Sequence, residues 1–140
     1  MQERTDILFP VVALAMLTFV VLLLIPLRRF RAGAAGQVDY DDFRYGESAR
    51  VPPQVSLPNR NMMNLLELPV LFYVACLILY VTDRVSSVAL GLAWGYVGLR
   101  IAHSAIHLTY NRVRDRLTVY AASNFALVTL WMNLLRSLST

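Results

Sequence analysis

MMNLLELPVLFYVACLILYV, residues Met62–Val81, is the stretch on which the fold turns. Twenty residues at about 1.5 Å each cover the roughly 30 Å of a bilayer's hydrocarbon core, and only Asn64 and Glu67 interrupt the apolar run. Three more windows meet the same length: Ile7–Leu27, Val85–Leu108 and Leu117–Leu135. Of the 140 residues 57% are hydrophobic, and the charged ones fall in short stretches between these runs, so little chain remains for a soluble domain. The expected fold is all-α: an integral membrane four-helix bundle forming one transmembrane domain over residues 1–140.

Charge placement gives an orientation. Glu3 and Asp6 precede the first window and Arg28, Arg29 and Arg31 follow it, the reverse of a signal peptide, so it reads as a retained helix. All thirteen basic residues are arginine. The connection 28–60 carries six of them, Arg28, Arg29, Arg31, Arg44, Arg50 and Arg60, and the link between the third and fourth windows carries Arg112, Arg114 and Arg116. The other side has Arg4, Arg84 and Arg136. By the positive-inside rule the arginine-rich connections face the cytoplasm and both termini face outward. The net charge of +4 therefore speaks for orientation and contact with lipid headgroups, and no nucleic-acid partner is expected. The lone cysteine, Cys76, lies inside the second window; it reads as a small packing residue that can form no intrachain disulfide.

The connection 28–60 contains Gly33, Gly36, Gly46, Pro52, Pro53 and Pro58 and reads as an irregular cytoplasmic loop with a short interfacial helix near Tyr40–Tyr45. The remaining links, Thr82–Arg84 and Thr109–Arg116, are short and make the last three windows antiparallel neighbours. Gly91 and Gly95 form a GxxxG pair suited to close helix approach, within a protomer or between protomers.

Polar residues recur inside the windows at helical spacing. Arg60, Asn64 and Glu67 share one face of the second helix; Arg100, His103, Ser104, His107 and Asn111 follow one another on the third; Arg116, Tyr120, Ser123 and Asn124 do so on the fourth. All three stripes fall in the cytoplasmic half of the membrane. Pro69 lacks the N–H that would bond the carbonyl of Leu65, which predicts a kink beside a polar cavity. Ionisable groups are costly in hydrocarbon and need a partner. A buried Glu67–Arg100 ion pair would account for two of them as structural glue. The surplus of positive donors, Arg100 and Arg116 with two histidines, points instead to an anionic ligand. His103 and His107 at i, i+4 could meet a metal, but no HExxH pattern or cysteine ligand accompanies them, and no metal site is expected.

The run Asn64-Leu-Leu-Glu67-Leu-Pro69, with Arg100-Ile-Ala-His103 and Arg116 with Tyr120, resembles the membrane-associated proteins in eicosanoid and glutathione metabolism, the MAPEG family, and looks like a bacterial branch. The resemblance implies a homotrimer in the inner membrane, with glutathione as co-substrate bound between subunits and a lipophilic small molecule entering from the surrounding membrane lipids. Carried over by position, Arg60, Asn64, Glu67, Arg100, His103 and Tyr120 would bind glutathione, Arg116 would be catalytic by stabilising the thiolate, and His107 and Asn111 would line the cleft. Met63 and His107 depart from the residues common in eukaryotic members, and the proline follows the glutamate by two positions rather than three. The implied activity is that of a transferase or peroxidase acting on a lipophilic electrophile or hydroperoxide; the alternative is a non-catalytic lipid-binding or scaffold protein of the same fold.

Overall fold

The computed structural model describes residues 2–139, and the regular elements among them are helices: α1 (Gln2–Asp6), α2 (Leu8–Ala34), α3 (Pro53–Leu66), α4 (Pro69–Val81), α5 (Ser87–Leu108) and α6 (Val113–Leu138), with one 3-10 turn at Tyr40–Phe43. Three stretches are long and apolar enough to cross a membrane: Arg4–Ala34, Pro53–Val81 and Val113–Leu138. The third window does not join them. Helix α5 has the length, 22 residues, but Arg100, His103 and His107 dilute its apolar character.

Helices α2 and α3 reach beyond their expected windows for local reasons. Helix α2 runs past Leu27 to Ala34, where Gly36 adopts the left-handed φ of 68° and the amides of Gly36 and Gln37 bond the carbonyls of Gly33 and Ala32. That pair of bonds closes a helix end on a glycine that bears no Cβ. Helix α3 starts nine residues before Met62, because Pro53 sits in the first turn, where its missing N–H costs nothing. The connection is consequently shorter than 28–60, and it is ordered. Asp42 accepts from the Ser48 hydroxyl at 2.6 Å and from the Asp39 amide at 2.8 Å, bonds that hold its carboxyl below the ordinary range, the Ser48 bond most strongly. Arg29 pairs with Glu47 at 3.1 Å and lies over the Phe43 ring at 4.4 Å, while Val38, Val51 and Val55 cluster on Ala32.

The long element Pro53–Val81 is broken at Glu67, whose ψ of −98° ends α3 before Pro69 opens α4. The break divides its contacts: α3 packs on α2 and α5, α4 on α6 and α2, and α5 most extensively on α6. Ile7, Leu14 and Val21 are wholly buried at seven-residue intervals, and Leu127, Leu130 and Leu134, three and four residues apart, are buried from α6. Helix α5 carries the longest buried seam: Ala89, Ala93, Tyr96, Arg100, His103 and His107, spaced 4, 3, 4, 3, 4. The seam is apolar as far as Tyr96, whose ring stacks on Phe72 at 4.8 Å, and polar from Arg100 onward. Gly91, Gly95 and Gly98 lie on the opposite, exposed face, where no atom of the protomer would come within 4 Å of an added Cβ. The GxxxG pair therefore mediates no helix approach within the protomer. Cys76 is buried and free, as its position suggested.

Candidate functional site

Where the α5 seam turns polar, a cavity of about 220 Å³ opens between α3, α5 and α6, lined by Asn64, His103, His107, Val113, Arg116, Leu117 and Tyr120. Five residues singled out by helical spacing thus meet on one cavity wall. No Asp or Glu lines it.

Arg100 stands immediately behind this wall and is completely buried. One Nη donates to the carbonyl of Asn64, one of the last carbonyls of α3 and so beyond the reach of a helical donor. Pro69 has no N–H to give the Leu65 carbonyl, and the turn at Glu67 also leaves the Asn64 carbonyl for the guanidinium. Its Cζ also lies 5.4 Å from the centre of the Tyr120 ring. Its Nε and its second Nη have no partner among the described residues. Glu67 does not supply one. It is exposed at the break and makes no ion pair within 4.0 Å among the described residues, so the Glu67–Arg100 lock is not formed.

The histidines are buried side by side, ring centres 5.8 Å apart, with His103 a further 5.4 Å from Tyr120. His103 Nδ1 donates to the carbonyl of Arg116 at 3.2 Å, since a carbonyl can only accept. Its Nε2 and both nitrogens of His107 are buried without a partner among the described residues. No third His, Cys, Asp or Glu among the described residues joins them in a metal-binding group. Buried polar atoms are nearly always satisfied, so a cluster of such orphans marks a place built to meet something else.

Arg116, in the first turn of α6, is aimed by Asn111. The Asn111 Oδ1 accepts from Arg116 Nη1 at 2.7 Å, and Asn111 itself holds the left-handed φ of 48° while its amide bonds the Ile106 carbonyl and closes α5. Arg60 is exposed on α3 and, like Glu67, does not line the cavity of a single protomer. Ser123 turns its hydroxyl to the Tyr120 carbonyl at 2.7 Å and serves the helix.

Two contributors escape the motif-based reading. Asn61 is wholly buried and accepts from the Ser104 hydroxyl at 3.3 Å. Its spacing of three from Asn64 placed it on the same face, but it lay just outside the window begun at Met62. Arg28, read only as a topology signal, donates to the carbonyls of Gln54 at 2.7 Å and Leu108 at 3.1 Å. The Gln54 carbonyl is free because Pro58, four residues on, has no N–H to give it.

The fold and the buried polar seam define a polytopic helical membrane protein with a cationic cleft. The chain belongs to the MAPEG family, which it matches over residues 7–136. Neither the curated proteins nor the solved structures gave a match.

Proposed function

We propose that the protein is a glutathione-dependent membrane transferase or peroxidase acting on a lipophilic electrophile or hydroperoxide. The observation that carries this reading is the cavity wall: Arg116 supplies positive charge, with the half-satisfied Arg100 behind it, Asn64 and Tyr120 supply neutral hydrogen-bonding groups, and no carboxylate among the described residues lines the cavity. Glutathione brings two carboxylates for the guanidinium groups and a thiol, whose pKa falls beside a cation. Its ammonium calls for an acid, and Glu67 is the acid nearest in sequence to Asn64. Because Arg60, on α3, and Glu67, at the break after it, are exposed, the reading assigns them to a cleft completed by a second copy, in keeping with a homotrimer.

In this account Arg116 stabilises the thiolate, and the unpartnered Nε2 of His103 is placed to take the thiol's proton. With an electrophile R–X the thiolate forms the R–S bond and X leaves as an anion. With a hydroperoxide, two glutathiones yield the alcohol, water and the glutathione disulfide. The second substrate arrives from lipid, because the outer surfaces of α2, α4 and α6 expose large apolar side chains such as Leu23, Leu77 and Phe125. Helix α5 is the fourth crossing in this reading, its polar seam turned inward. The arginine-rich end faces the cytoplasm, in a bacterial inner membrane with both termini outside.

Ultraviolet difference spectra of the purified protein titrated with glutathione test the assignment. Wild type should show a thiolate band at neutral pH and Arg116→Ala should lack it. A non-catalytic lipid-binding protein of the same fold would show no band in either.

A further inference from the structure

A second basic pocket, of about 410 Å³, opens on another flank of the bundle, where the end of α2 meets the start of α3 and the end of α5. Arg28, Arg31, Gln37 and Gln54 supply its polar wall, and Leu57 and Leu108 its apolar floor. No Asp or Glu lines it. Arg28 is fixed by its two main-chain carbonyls and, with five N–H donors in its guanidinium, keeps donors to spare. Arg31, one helical turn on and on the same face, is exposed, and its guanidinium has no hydrogen-bond or ion-pair partner among the described residues.

The depth of this pocket follows from the surface of α2. Its exposed large apolar residues run from Phe9 to Phe30. Twenty-one residues at about 1.5 Å each give roughly 32 Å, the thickness of a hydrocarbon core, which sets Arg28 and Arg31 at the level of the lipid phosphates. From this we infer that the pocket is a binding site for an anionic phospholipid. The phosphate lies between Arg28 and Arg31, the glutamine amides meet the headgroup, and the acyl chains follow Leu57 and Leu108 back into the bilayer. Two uncompensated arginines between helices at the cytoplasmic boundary of a membrane protein are the chemistry that retains such headgroups. Within the protomer the site shares no lining residue with the cavity of His103 and Arg116.

The test is native mass spectrometry of the full chain released from vesicles of equimolar phosphatidylglycerol and phosphatidylcholine. Wild type should retain phosphatidylglycerol preferentially. Arg31→Gln, an exposed change with no contact to lose, should reduce that preference about fivefold, the effect of one arginine at an anionic surface. Arg31→Lys should keep most of it. Arg114→Gln, exposed at the start of α6 and outside the pocket, should leave it unchanged. Equal retention of both lipids by wild type, or equal losses from Arg31→Gln and Arg114→Gln, would overturn the site. So would displacement of the lipid by millimolar inorganic phosphate, which would make this a site for free phosphate.

Discussion

Replacing Arg100 by methionine should separate binding from stability. The guanidinium is completely buried, and among the described residues only one hydrogen bond, to the Asn64 carbonyl, and the Tyr120 ring at 5.4 Å meet it. A hydrogen bond to a charged group is worth about 1.5–3 kcal/mol and a desolvated cation–π contact about 2 kcal/mol. Against these stand two unpartnered nitrogens, at about 1–3 kcal/mol each, and the several kcal/mol of burying an ion with no carboxylate in ion-pair contact among the described residues. The balance is near zero or unfavourable, so Arg100→Met should leave the ligand-free thermal midpoint unchanged or raise it. Ligand affinity should behave differently. An anion beyond the Tyr120 ring would lie about 8 Å from the guanidinium, where attraction at an effective dielectric of about 20 amounts to about 2 kcal/mol, or roughly thirtyfold in affinity. The assay is thermal unfolding in detergent with and without glutathione, paired with equilibrium binding. A sharply lowered midpoint in the ligand-free variant, or an affinity within threefold of wild type, would refute the reasoning.

Other perturbations follow from the same geometry. Asn111→Gly keeps a residue at ease with the positive φ but removes the Oδ1 that holds Arg116, so folding should survive while the thiolate band shrinks; Asn111→Asp should retain the orientation of Arg116 and shift the thiol's titration upward, readable from the pH dependence of the band. Glu67→Gln should change the unfolding midpoint of the isolated protomer little, within about 0.5 kcal/mol, because Glu67 is exposed and unpaired there; a large loss measured by denaturation would revive the ion-pair lock. Asp42 has a folded pKa below its unfolded value, so the stability it lends the connection is full above the unfolded pKa of about 3.9 and is lost as pH falls through the folded value. Limited proteolysis of residues 35–52 should accordingly be slow at neutral pH and accelerate only below about pH 4, and Asp42→Asn should be cleaved readily at neutral pH.

The apolar spans were legible because some twenty consecutive apolar residues have few other fates, and the polar stripes because helical spacing is fixed. Spacing placed Asn64, His103, His107, Arg116 and Tyr120 on faces that meet. Spacing could not say how far each face is turned. The main-chain turn at Glu67 swings that carboxylate outward and delivers the Asn64 carbonyl to Arg100 in its place, a consequence of one ψ angle rather than of residue type. The start of α3 was hidden because PQVSLPNRN is polar and holds two prolines, and only the structure shows Pro53 in a first turn and Arg28 occupying the carbonyl that Pro58 frees. The ordered connection was hidden for a related reason: its bonds join side chains to nearby main chain, as between Asp42 and Asp39, and leave no periodic mark. Asn111 was legible as a polar residue but not as the one that aims Arg116, a role that depends on its left-handed backbone.

The central claim is that the polar end of the α5 seam is an anion site serving glutathione. A structure of the purified protein determined with saturating glutathione tests it most directly. The account predicts ligand density against His103, Arg116 and Tyr120, with a carboxylate on the arginine side of the cavity and Glu67 of a neighbouring copy close by. A cavity without density at saturation, or glutathione bound only elsewhere on the protein, would contradict it.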